Sequence, residues 1–148
     1  MMEVETLEMF LRLVVALVLG ALIGLNRRIY GKPAGLRTMA LVSLGSATFT
    51  LIGVNAMIQL ASAEHAAGFD AMVRLDTSRV IAGIVGGIGF LGAGVILRRR
   101  TGGIEGITTA SVIWVVAAIG LATGAGLYLI ATVTTVVVML VLLLLRHD

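Results

Sequence analysis

Five apolar runs, each about the length of a bilayer crossing, leave little of this chain unassigned. A helix rises about 1.5 Å per residue and the hydrocarbon layer is roughly 30 Å thick, so a crossing needs about 17–25 apolar residues. Runs of that length lie at residues 9–25, 38–60, 79–97, 107–123 and 127–145. None alternates polar with apolar positions, so helices, which satisfy their backbone polar groups within one segment, are favoured over a barrel. Composition agrees: 59% hydrophobic and 13% charged residues among 148 is more apolar than a soluble domain of this size can hide. The expected fold is all-α, a single polytopic membrane domain over 1–148 built as a bundle of about five transmembrane helices.

The charges sit between the runs and set an orientation. "NRRIYGKPAGLR" carries Arg27, Arg28, Lys32 and Arg37, and "RRRTGGIEG" carries Arg98, Arg99 and Arg100 against Glu105. Both connections should be cytoplasmic. Residues 61–78 hold Glu64, Asp70 and Asp76 against Arg74, and the fourth connection is the uncharged "GAG" at 124–126, expected as a tight hairpin. Those two belong outside, which places the N-terminus outside, the C-terminus in the cytoplasm and eight of the eleven basic residues inside. The net charge of +3 is therefore a topology signal, and no nucleic-acid partner is expected. An acidic leader (Glu3, Glu5, Glu8) argues for a retained first span over a cleaved signal. The absence of cysteine removes disulfides and thiolate chemistry. No internal repeat is visible, and five spans fit poorly with paired inverted repeats.

The third run contains "GGIGFLGAG", a literal G-x-G-x-x-G. A dinucleotide loop needs a preceding strand and a βαβ frame, whereas this stretch lies inside an apolar helix. Small residues there let helix backbones approach closely in lipid. Gly83 and Gly87 form a G-x-x-x-G pair, Gly86, Gly89, Gly92, Ala93 and Gly94 add small positions, and Gly20 and Gly24 repeat the spacing on the first span. The third span is thus expected at the centre of the bundle or at a subunit contact, with a homodimer favoured.

Polar residues within or beside the spans are candidate sites. Arg12 lies inside the first span with Glu8 four residues earlier on the same face, giving either a local ion pair with snorkelling or a network reaching Asp76. Asp76 and Arg79 open the third span, where Asp76 or Ser78 can cap the helix or the pair can meet a cation or partner. Thr48, Asn55 and Gln59 form one polar stripe, expected to bond between helices or to line a hydrated path. "GKPAGLRT" is a shaped turn in which Thr38 can cap the second helix, while Lys32 and Arg37 face anionic lipid headgroups. Thr108, Thr109 and Ser111 can cap the fourth helix, bond another helix or offer oxygens to a cation.

Two histidines, His65 and His147, stand without a nucleophilic or metal-ligand constellation, so neither enzymatic activity nor a cofactor is expected. Magnesium is the one candidate ligand, yet it favours carboxylate oxygens and no Asp or Glu lies in a membrane core.

Four stretches, "LGALIGLNR", "GKPAGLRT", "RVIAGIVGGIGFLGAGVIL" and "GITTASVIWVVAAIGLATGAGLY", in that order and nearly end to end, resemble the MgtC/SapB family of bacterial inner-membrane proteins. The resemblance implies a membrane domain of about five spans, which in the family is often followed by a C-terminal cytoplasmic domain; this chain looks like the short form. It also implies a link to growth at low magnesium, stress adaptation, survival of pathogens in host cells and regulation of other membrane proteins, with magnesium transport as the alternative. Arg37, Thr38 and Arg79 match positions of the family pattern. Asn26 stands where a Glu is common, Met39 where a His is frequent, and Ala82 where a polar residue often occurs.

Overall fold

The structure, a computed structural model, describes residues 2–67, 77–98 and 103–145. The chain runs α1 (Met2–Ile29), α2 (Leu36–Ala67), α3 (Thr77–Val95), β1 (Leu97–Arg98), β2 (Ile104–Glu105), α4 (Ile107–Gly124) and α5 (Tyr128–Leu144). Every apolar run is a helix. Those in α1 and α2 continue past the expected limits, because helix propensity does not stop where apolar composition does. Four helices carry stretches long and apolar enough to cross a membrane: Glu5–Ile29, Leu36–Ala56, Ser78–Val95 and Ile107–Gly124. The fifth, α5, is apolar but shorter, at 17 residues. β1 and β2 pair antiparallel, with Leu97 opposite Glu105 and Arg98 opposite Ile104, and so clip the α3–α4 connection into a small ribbon.

The centre of the bundle is α4, which corrects the first of the two places expected for the third span. This helix touches all four others, and 56% of its apolar window is buried against 11% for α3. Val112, Ile113, Val116, Ile119 and Ala122 of α4 form the core with Ile23 of α1, Met39 of α2 and Ala131 of α5. Lipid tails are as apolar as these side chains, so cohesion rests on close packing more than on escape from water. Large side chains on the outer faces, such as Phe90 at 83% and Leu129 at 78% exposed, point where lipid is the solvent.

Glycines fix the tightest contacts, but mostly not those of α3. A Cβ on Gly20 would lie 2.6 Å from the Met39 carbonyl oxygen, and one on Gly24 would lie 2.7 Å from Leu36 Cα, so both let α1 press onto α2. Across the other side of α2, Gly120 sits directly against the Ser43 backbone and Gly124 against Ala47 and Thr50. Within α3, Gly92 meets Ala110 at 3.6 Å, whereas Gly83, Gly86, Gly87, Gly89 and Gly94 have open space where a side chain would begin. The small residues of α4, placed opposite small residues of α2, take the central packing role, one of the two expected of α3.

Two helix ends share one device. At the end of α1 the Lys32 amide bonds the Arg27 carbonyl (3.0 Å) and the Gly31 amide bonds that of Arg28 (3.1 Å), with Gly31 at φ +60°. At the end of α4 the Leu127 amide bonds the Ala122 carbonyl (2.8 Å) and the Gly126 amide bonds that of Thr123 (2.9 Å), with Gly126 at φ +79°. This is the Schellman arrangement, which needs a left-handed residue after the helix. It makes the expected tight hairpin at 124–126.

Candidate functional site

Arg27 occupies the last turn of α1 on the buried face that also carries Ala16, Gly20, Ile23 and Gly24. It is only 5% exposed. Its Nη2 donates to the Thr109 hydroxyl, in the first turn of α4, and to the Pro33 carbonyl at 3.4 Å. Nε is buried and meets no acceptor among the described residues. Both acceptors are neutral, so among the described residues the positive charge is held in the protein interior by dipoles, an arrangement that costs free energy unless something compensates it.

Around this arginine the α1–α2 turn, the β2–α4 junction and the end of α5 enclose a cavity of about 880 Å³. Asn26, Arg27, Tyr30, Lys32 and Pro33 line one side, Glu105, Gly106, Thr108 and Thr109 another, and Val141, Leu142 and Leu145 the apolar wall. Gly106, at φ +91°, occupies the cap position of α4, and no side chain caps that helix. Its place is fixed by contact: a Cβ there would run into the Val95 carbonyl.

A second concavity, of about 860 Å³, runs between α2 and α3. Arg37 and Thr38 stand at one end, and Gly45, Gly53, Gly83 and Gly87 form its floor between Leu41, Phe49, Ile84 and Leu91.

The expected site residues divide between these places. Lys32, Thr108 and Thr109 come together in the first, and Arg37, Thr38, Gly83 and Gly87 in the second. Arg79 is exposed at the start of α3, and Asp76 lies outside the described residues. Thr38 does not cap α2, because the helix begins at Leu36 and Gly35 holds the cap position. Ser111 bonds back to the Ile107 carbonyl at 3.0 Å.

Among the described residues the stripe of Thr48, Asn55 and Gln59 makes no bond between helices. Thr48 and Asn55 bond the carbonyls of Leu44 (2.9 Å) and Leu51 (2.8 Å) in their own helix, and Gln59 is exposed. The polar face of α2 that meets protein carries Ser43, Ser46 and Thr50 instead, with Ser43 Oγ donating to the Ala16 carbonyl at 2.7 Å. Arg12 pairs with Glu8 as expected of neighbours four apart; its Nε lies 3.1 Å from the carboxylate. It also donates through Nη1 to the Gly124 carbonyl at 3.0 Å, so a cation sits on the negative end of α4.

Asn26 and Arg27 were legible only as charge and polarity beside a loop. The missed signal is the spacing 16, 20, 23, 24, 27, which carries one helical face from small residues straight to the arginine. Of the three departures from the family pattern, Asn26 and Met39 are buried and Ala82 is exposed.

Membrane-length helices, outward-facing apolar side chains and a buried arginine bound to neutral oxygens define a polytopic α-helical membrane protein. The chain belongs to the MgtC family, whose model matches residues 13–147. It is 41% identical over 145 residues to SrpB of Synechococcus elongatus, covering 93% of this chain and 75% of that protein. YhiD of Escherichia coli K12, whose name proposes magnesium transport, is 42% identical over 137 residues, covering 93% of this chain and 60% of YhiD. SapB of Bacillus subtilis is 38% identical over 121 residues, or 82% of this chain and 49% of SapB. The chain thus spans between half and three quarters of these relatives' lengths. No solved structure matches it.

Proposed function

We propose that the chain is a non-enzymatic module of the bacterial inner membrane that acts by docking helices: a second copy of itself in a homodimer, and through that assembly another membrane protein of magnesium or ion homeostasis. One observation carries this reading. The glycines of α3 open outward along the α2–α3 concavity, where Gly83 and Gly87 have no side chain and no neighbour within 4 Å of where one would begin. Gly costs about 1 kcal/mol in a helix interior, so an exposed series of them is supported by a use in close approach by another helix. A symmetric contact through the same face closes as a dimer.

Magnesium transport is the second reading, favoured by the name of YhiD. The ion binds through oxygen, commonly carboxylate. Apart from Asn26 and Arg27, the buried polar side chains among the described residues are hydroxyls, and Thr50, Thr123 and Thr135 already bond their own helix backbones.

Reconstitution in liposomes separates the two. The module reading expects Gly87→Leu to weaken dimer formation at least tenfold, measured by subunit counting in the bilayer, with no magnesium influx above empty vesicles. Influx that Thr109→Val abolishes without loss of folding would overturn it.

A further inference from the structure

We propose that the cavity at Arg27 binds a phosphate group, either free or on a lipid headgroup. Three features of different origin converge there. The first is the guanidinium itself, 95% withdrawn from solvent, with Nε lacking an acceptor among the described residues and Nη2 held by the neutral oxygens of Thr109 and Pro33. A buried cation whose partners among the described residues are all neutral is the electrostatic complement of an anion.

The second is the start of α4, an 18-residue helix that begins at Ile107 behind an uncapped Gly106. Its first intrahelical bond runs from the Ala110 amide to the Gly106 carbonyl at 2.8 Å. The amides of residues 107–109 therefore precede the hydrogen-bond ladder at the positive end of the helix dipole, the backbone geometry that takes phosphate oxygens. The third is Lys32, exposed on the α1–α2 turn and lining the same cavity. Among the described lining residues, Arg27 and Lys32 outweigh the acidic Glu105.

Geometry selects phosphate over a simple halide. A guanidinium fork, a hydroxyl and helix-end amides offer several donors from different directions, which a tetrahedral oxyanion can accept together. The volume of about 880 Å³ exceeds the needs of one small ion and admits a headgroup. The apolar wall of Val141, Leu142 and Leu145 gives a path for the chain attached to it.

The test uses the purified full chain in detergent, with two probes and two variants. Thermal shift is measured against inorganic phosphate, with chloride at equal ionic strength as reference. Retention of phosphatidylglycerol is measured by native mass spectrometry against diacylglycerol, which lacks the phosphate. Lys32→Gln removes an exposed charge, and Asn26→Asp places a near-isosteric carboxylate beside Arg27 in place of a neutral amide, leaving the guanidinium, the Thr109 hydroxyl and the helix-end amides intact. The expected result is saturable binding that weakens at least tenfold in both variants, while elution profile and helical circular dichroism stay unchanged. Saturation by inorganic phosphate identifies the free ion as sufficient. Retention of the lipid without a phosphate response assigns the site to headgroups. Binding of neither probe, or binding equal in wild type and both variants, overturns the proposal.

Discussion

A hydroxyl that accepts a hydrogen bond from a buried guanidinium is worth more than one bonded to a neutral donor, because its loss leaves a charge without a dipole to face. Thr109→Val keeps the shape and removes that acceptor. It should destabilise the protein by about 1.5–3 kcal/mol, read from denaturant titration in bicelles, and Thr109→Ser should restore most of the loss. Gly126 makes a different demand. At φ +79° it closes the α4–α5 turn, and a Cβ there would lie 3.0 Å from Arg12 Nη2. Gly126→Ala is expected to cost about 1–2 kcal/mol in the same titration, from left-handed strain together with the displaced arginine. At this scale the sequence was a partial guide. The Glu8–Arg12 pair followed from spacing four on a helix, but the bond from Arg12 to Gly124 joins residues 112 positions apart and has no local signature. Thr109 stood out as a polar residue at a helix start, and only the packing of α1 on α4 supplied its partner.

Helix existence was legible element by element, since an apolar run of membrane length has few other solutions. The role of each glycine was not, because it depends on what lies opposite. Gly120 and Gly89 look alike in sequence, yet one rests on the Ser43 backbone and the other on nothing within 4 Å. Gly120→Ala should therefore push α2 and α4 apart and cost roughly 1–3 kcal/mol, the range for overpacking a core. Gly89→Ala, measured on the monomer at high detergent dilution, should be neutral or stabilising by about 0.5–1 kcal/mol through helix propensity alone. Equal destabilisation by the two would mean that α3 is as tightly enclosed as α4. The same reasoning explains the polar stripe of α2: period alone marks a face, whereas the identity of the face that meets α1 and α4 is set by the small residues Ser43 and Ala47.

For the whole molecule, antiparallel succession of the helices brings the α1–α2 turn, the α3–α4 ribbon and the end of α5 to one end, as the shared cavity lining records. The α4–α5 turn, beside Arg12, lies at the other. Arg27, Arg28, Lys32 and Arg37 belong to the first end, whereas the second carries acidic residues such as Glu5 and Glu8 and fewer basic ones, so the first should face the cytoplasm. Single cysteines at 35 and 103 should resist a membrane-impermeant maleimide added outside, and one at 126 should react. Labelling of position 35 from outside would reverse the orientation.

Arg12 and Arg27 lie fifteen residues apart on α1, and the groups they hold, Gly124 and Thr109, lie fifteen apart on α4. Two fasteners at matching intervals on antiparallel rods remove the freedom to slide. One residue inserted between either pair shifts its helix by about 1.5 Å and turns it by about 100°, so at least one guanidinium loses its acceptor. The α1–α4 pair thus behaves as a riveted beam, and a change of shape in this protein is expected to be carried by the helices around it moving against it.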